Sequence, residues 1–483
     1  MVPAEMRLMD GVSMQRAHAA LYEIAAAPCG QYSTRLRPMS LQEFGYKEEL
    51  RRALTTKDLI IYGMIFMVPI APFGVFGFVW NEAKGMVPLA YLVGLIGMFF
   101  TALSYAAMSR AFPLAGSVYT YAQRGLHEIA GFFSGWLILL DYILVPALLY
   151  LISATALRPL VPGVPAWIWL TGFIAVNAVV NFLGIEFTAR VNRYMLIMEL
   201  LTLALFVVLG VIALYGGAGA GRLTLQPIYD PQVFSASTVA GATSIAVLSF
   251  LGFDGISTLA EESRGNQNAV GRATVLSLVL VGVLFMLQTW IATDLARGMR
   301  FASTDTAFYE VAQRAGGAWL RLVTILATVI ASAIANAMAA QAAVSRVLFA
   351  MARDGKLPAI LAKVHPRYKT PYVSTLAVAL VSLLVGVFFA NHLDDLSRVV
   401  NFGALTGFVL LHLSVISHYF FRRRSGDWLR HIVFPLTGLA IIVYVLYEMD
   451  RAAKILGACW IAIGVLYYLL LALRTRKPVA LKI

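Results

Sequence analysis

The sequence predicts an all-α membrane protein of twelve transmembrane helices, and three observations carry that expectation. Of its 483 residues 60% are hydrophobic and only 13% are charged, against about 25% charged in an ordinary soluble domain. Apolar runs near the ~20 residues that a helix needs to cross a bilayer recur along the whole chain. The 38 lysines and arginines collect between those runs, as they do in the cytoplasmic loops of membrane proteins. A net charge of +13 would suggest nucleic acid in a soluble protein; here its loop placement favours a lipid bilayer, and no nucleic-acid partner is expected. Cys29 and Cys459 stand too far apart to indicate a disulfide framework or a metal cluster. No short apolar stretch followed by a small-residue cleavage site lies near the start, so no signal peptide is expected.

Residues 1–53 read as a cytoplasmic tail, expected to be disordered, and Met39 is an alternative start. Span 1 (59–80) contains Gly63, Pro69, Pro72, Gly74 and Gly77. Its two prolines remove backbone donors and clash with the preceding turn, so a break is expected near 67–72. Span 2 covers 87–108, and the connector 110–124 is too polar to face lipid. Span 3 (129–157) carries Asp141, Tyr142 and Pro146; span 4 covers 166–183; span 5 (194–214) holds Glu199 in its first third. A Gly-rich loop leads to span 6 (237–259), and span 7 (273–293) carries Trp290. The stretch 304–314 reads as a short amphipathic helix outside the membrane. Span 8 (319–351) is rich in alanine and serine, which lets neighbouring helices approach closely. After a basic loop come spans 9 (373–390), 10 (396–421), 11 (432–447) and 12 (454–473), then a tail at 474–483. Placing both termini in the cytoplasm puts most of the lysines and arginines on the inner side.

Span 6 contains Ser249-Phe-Leu-Gly252-Phe253-Asp254-Gly255. Two close glycines weaken a helix, and an acid at mid-membrane depth costs roughly 3 kcal/mol or more unless something holds it. Broken backbone is tolerated at that depth only where it is buried in protein or lines a cavity. Spans 1 and 6 each begin a set of five, and five is odd, so the second set enters from the opposite face. Interrupted segments at matching positions of two inverted halves point to a transporter's central site. A channel would need rings of polar side chains, and none is evident. A nucleophile–base–acid set would have to be assembled from distant loops, so neither an enzyme nor a cofactor is expected.

Five stretches carry a family resemblance: FPLAGSVYTYA (112–122), LLDYILVP (139–146), SFLGFDGISTLAEE (249–262), SRVLFAMARDGKLP (345–358) and HPRYKTP (365–371). With them the chain resembles the amino acid–polyamine–organocation (APC) transporter superfamily, and within it the bacterial putrescine importers. The resemblance implies the leucine-transporter fold and alternating access. It implies a ten-helix core at 54–421, built from inverted repeats at 54–215 and 236–421. Two trailing helices would occupy 422–473. It also implies a bacterial-type inner membrane.

An amino acid's carboxylate seeks free N–H groups at the start of a half-helix. The break Met67-Val68-Pro69-Ile70 is bulky where amino-acid-carrying members are glycine-rich, and its proline offers no N–H. A diamine needs carboxylates for its ammonium groups and an apolar wall between them. Asp254, Glu261 and Asp141 meet the first need. Tyr142, Phe250, Phe253 and Trp290 meet the second, flanking Gly252 at the break. Each acid also has a structural reading: Asp254 as a helix cap, and Glu261 or Glu262 as a gate or a partner for arginine. Asp141 and Tyr142 point about 100° apart on a helix, so Tyr142 is assigned to substrate and Asp141 to a helix–helix bond. Some proton-coupled relatives carry a lysine at the position of Glu199. An acid there could carry a proton, bind sodium with Ser332 and carbonyls of span 1, or pair with Arg193. His412 and His418 are read as structural. The expected function is proton-coupled import of a putrescine-like amine or an amino acid. An amino acid permease, an amine/amino acid exchanger and a binding-only sensor are the alternatives.

Overall fold

Where the two breaks fall is decided by proline, glycine and capping chemistry. In a computed structural model of the chain, the residues described are 47, 49–157, 161, 163–183, 185–264, 268–389, 393–449 and 451–474. The expected N-terminal tail, apart from 47 and 49–53, and the C-terminal tail beyond 474 lie outside them. Helix α1 (Thr56–Met67) opens on a capping box: Thr55 accepts from the Asp58 N–H at 3.3 Å, and Asp58 accepts from the Thr55 N–H at 3.0 Å. It ends at Val68, whose φ of +53° is costly for a β-branched residue. Pro72 then starts α2 (Pro72–Ala83), a position where its missing N–H leaves no bond unmade. The two halves meet at 51°.

Helix α3 (Val87–Ala111) is followed by α4 (Val118–Gly125), α5 (Glu128–Leu157), α6 (Ala166–Leu183) and α7 (Ile185–Tyr215). The polar connector after span 2 is thus partly helical: positive φ at Gly116 (+109°) and Ser117 (+53°) turns the chain inward, and Tyr119 and Tyr121 of α4 are buried. Helix α8 (Ala236–Ala246), capped by the Ser235 hydroxyl, tightens into a 3₁₀ turn at Val247–Phe250. The chain then breaks at Leu251 and Gly252 and resumes as a 3₁₀ segment, Phe253–Glu262. Next come α9 (Ala269–Ala296) and the short amphipathic α10 (Ala307–Gly316). Helix α11 (Ala318–Ile330) continues through a π turn, Ala331–Asn336, into α12 (Ala337–Arg353). The chain ends with α13 (Tyr372–Phe388), α14 (Leu393–Val415), α15 (Phe434–Glu448) and α16 (Arg451–Arg474).

Among the described residues ten helical segments are long and apolar enough to cross a membrane. The bent α1–α2 pair makes up to eleven, and α13 is a shorter apolar helix. No β-strand forms there; a single bridge joins Leu54 to Ser263. Leu384, Phe388, Leu466 and Leu473 are exposed on the outside, a liability in water and the ordinary state against lipid. The interior is closed by small residues, and alanines of α12 are fully buried. A tight approach lies between the two broken spans. A Cβ at Gly252 would sit 2.7 Å from the Phe66 ring and from its carbonyl oxygen, and one at Gly255 would sit 2.3 Å from that ring. Gly252 also has a φ of +115°, where a side chain costs about 1–3 kcal/mol in strain alone.

Gly252→Val is therefore expected to abolish recovery of a monodisperse peak on size-exclusion chromatography in detergent. Gly172→Ala, where an added Cβ meets nothing within 4 Å, should elute unchanged. Normal recovery of Gly252→Val would show that the crossing is dispensable.

Candidate functional site

The two interruptions line a common cavity of about 100 Å³, far more than a single water needs. Met67, Val68, Ile70 and Ala71 contribute from the first break, and Ser249, Leu251 and Gly252 from the second. Asp141, Val145 and Leu148 come from α5, and Thr328, Ser332 and Asn336 from α11 and its π turn. Unwound backbone around the cavity finds side-chain partners, the condition for unwinding at this depth. The Pro69 carbonyl accepts from Gln288 Nε2 of α9 at 2.8 Å. At the π turn, Asn177 Nδ2 of α6 donates to the Ala333 carbonyl at 2.8 Å. Ser332 and Asn336, four residues apart and so on one face, both line the cavity from this turn.

The acids separate into two groups. Asp254 is fully buried behind the cavity lining. Its Oδ2 accepts from the Tyr142 hydroxyl, and from Tyr105 at 3.5 Å. Its Oδ1 accepts from the Gly252 N–H at 3.2 Å, a local cap on the break. Glu261 is held bidentately by Arg353 at 2.9 and 3.1 Å and also accepts from the Ala115 N–H at 2.9 Å. Glu262 pairs bidentately with Arg346, and Glu128 pairs with Lys356. Asp141 and Glu199 differ. Asp141 lines the cavity, and its Oδ1 has no hydrogen-bond partner among the described residues. The expected helix–helix bond from Asp141 is therefore absent among those residues. The 100° step along α5 falls the opposite way round from the expectation: Asp141 faces the cavity and Tyr142 faces Asp254.

Glu199 is buried on α7, outside the cavity lining, with neither carboxyl oxygen bonded among the described residues. Its alternative as a partner of Arg193 does not hold, because Arg193 reaches Asp58 at 3.1 Å. The aromatic residues expected at the site, Tyr142, Phe250, Phe253 and Trp290, lie outside the lining, whereas Phe66 is part of it. Phe250 packs on Tyr91 and Phe285, and Phe253 on Tyr105 and Phe408. Trp290 Nε1 donates to the Thr224 carbonyl at 2.7 Å. His412 lies between the Thr101 and Ser104 hydroxyls at 3.2 and 2.9 Å, as a structural histidine should. Several contributors went unread in the sequence, among them Tyr105 and Asn336. Tyr105 carries no local signal, whereas Asn336, a lone amide in an alanine-rich span, is a polar outlier that could have been singled out.

Interrupted helices around a buried cavity define a solute transporter of the membrane. The chain belongs to the amino acid permease family, which it matches over residues 59–470. It is 31% identical over 448 residues to the low-affinity putrescine importer PlaP of Escherichia coli K12, covering 89% of this chain and 96% of that protein. It is 28% identical over 457 residues to the branched-chain amino acid permease BcaP of Bacillus subtilis, covering 89% and 95%. With the methylthioribose transporter of Bacillus subtilis it shares 24% over 463 residues, covering 88% and 94%. The protein is thus a multi-pass membrane transporter of the APC superfamily, not an enzyme.

Removing one partner of a buried ion pair leaves the other charge uncompensated, at about 3–5 kcal/mol. Arg346→Ala should accordingly lower the thermal midpoint of the detergent-solubilised protein by several degrees. Arg346→Met combined with Glu262→Leu should restore most of it.

Proposed function

We propose that the protein is a secondary active transporter that imports a small amine, putrescine-like in size, or an amino acid by proton symport. The observation that carries this reading is the cavity between the two breaks, with an acid in an otherwise largely apolar wall. A substrate held there touches Met67, Val68, Ile70 and Gly252 directly. Pro69 shapes the break, and Phe250, Phe253 and Trp290 brace the surrounding helices. The core is read as two inverted repeats, 54–215 and 236–421, that rock against each other in the inner membrane, with both termini cytoplasmic. Tyr142 and Asp254 then form a latch behind the site, and Glu261 with Arg353 closes its cytoplasmic side. These contacts must exchange as the site opens inward.

Coupling is assigned to Glu199. An unpaired buried charge is costly, and a bound proton removes that cost. Sodium held with Ser332 is the competing assignment. A second substrate reading has its own support: Val145, Leu148, Leu149 and Ile152 in the wall suit a branched apolar side chain, as carried by the permease BcaP among the relatives.

Uptake into proteoliposomes decides between these readings. Labelled putrescine should accumulate several-fold faster under an inward acid gradient than without one, and labelled leucine more slowly than putrescine. Glu199→Gln should keep downhill uptake and lose the response to the gradient. Accumulation driven by sodium alone would replace the proton assignment.

A further inference from the structure

Two oxygen atoms in the cavity wall lack hydrogen-bond partners. Asp141 Oδ1 on α5 and Asn336 Oδ1 at the end of the π turn are both buried, with no partner among the described residues. Both residues line the cavity, and Asp141 is only 1% exposed. Two neighbouring hydroxyls of the lining are engaged, while Ser332 adds a third. The Ser249 hydroxyl bonds Tyr91 at 2.9 Å, and the Thr328 hydroxyl donates to the Thr324 carbonyl at 2.8 Å. The carboxylate of Asp254 is taken by Tyr142, Tyr105 and the Gly252 N–H. No lysine or arginine lines the cavity among the described residues. The remainder of the wall is mainly apolar, with the Phe66 ring at one side.

What complements such a wall follows from the donor and acceptor inventory. A carboxylate in these surroundings is strongly disfavoured without a counter-charge, and an amide oxygen without a donor adds to the deficit. An alkylammonium supplies both needs at once, since it carries a positive charge and three N–H donors and no acceptor. An aromatic face beside it adds attraction. A guest carboxylate would find Asp141 of like charge, no cationic side chain, and prolines at 69 and 72 that offer no N–H.

We propose that Asp141, assisted by Asn336, is the cation anchor of this cavity and selects primary amines that lack an α-carboxylate. The proposal rests on reading the cavity as the substrate site, and it separates that reading's two substrate classes. Asp141 holds one ammonium directly; Asn336 orients it through its side-chain oxygen. The apolar wall of Val145, Leu148 and Ile152 takes the methylene chain.

The test is competition against labelled putrescine uptake in proteoliposomes, using butylamine and leucine as competitors. Butylamine should compete with unsubstituted protein and leucine should not, because only the amine end is read. Losing a hydrogen bond to a charged group corresponds to about tenfold or more. Asp141→Asn, nearly isosteric, should raise the KM for putrescine by at least that factor, and Asn336→Leu should raise it with kcat little changed. Melting curves of each variant report folding independently. If Asp141→Asn does not fold, Asn336→Leu and the butylamine–leucine comparison carry the test. Putrescine uptake with an unchanged KM in Asp141→Asn overturns the anchor while leaving the transporter reading intact. Competition by leucine as strong as by butylamine overturns the selectivity. Uptake of neither amine nor amino acid by the unsubstituted protein removes the functional reading itself, and the anchor with it.

Discussion

The crossing of the two interrupted helices, with the Phe66 ring where two side chains would otherwise stand, is the contact on which the rest of the structure depends. Gly252 and Gly255 have no Cβ to collide with that ring, so the end of α1 and the start of the 3₁₀ segment Phe253–Glu262 approach to backbone distance. Close approach alone would leave unwound backbone without partners, a severe penalty away from water. Gln288 reaches across from α9 to the Pro69 carbonyl of the first break, and the Asp254 carboxylate accepts from the Gly252 N–H of the second. The cavity is what remains between the two breaks once each has a side-chain partner.

Charge is distributed around that cavity by a simple rule. Among the described residues, Asp254, Glu261, Glu262 and Asp294 are buried acids with hydrogen-bonding or ionic partners. Asp141 and Glu199 are the buried acids that keep unbonded carboxyl oxygens. Partnered acids hold helices together: Glu261 and Glu262 tie the second half of the broken span to α12 through Arg353 and Arg346. An acid left without a partner is available to something that comes and goes. The two acids left without partners stand on different helices, α5 and α7.

Much of the architecture was legible in the sequence because hydrophobic runs, prolines and glycines act locally. Pro69 and Pro72 removed donors from span 1 whatever surrounded them, and the break fell within the expected interval. Gly252 and Asp254 marked the second break for the same reason. The site was less legible. Asp141 and Tyr142 are adjacent in the chain, and only the azimuth of α5 decides which of them meets the cavity; nothing in their immediate neighbours specifies that rotation. Trp290 and Phe253 read as plausible walls from their aromatic character, yet their positions follow from distant partners, Thr224 for Trp290 and Tyr105 and Phe408 for Phe253. Glu199 near Arg193 suggested a local pair, but Asp58 of α1 lies closer to the arginine in space.

By itself the sequence determined that this is a polytopic helical membrane protein and which two of its spans cannot run straight. Those properties depend on the transfer of side chains between water and lipid and on the bonds each backbone can make, and both are carried by short stretches of chain. Only the tertiary structure decided which acid stands beside the cavity, which arginine neutralises which glutamate, and which oxygens are left without a donor. These depend on the rotation and crossing of packed helices, set by the sum of many contacts distant in sequence. The partnership of a buried charge is a property of the whole assembly.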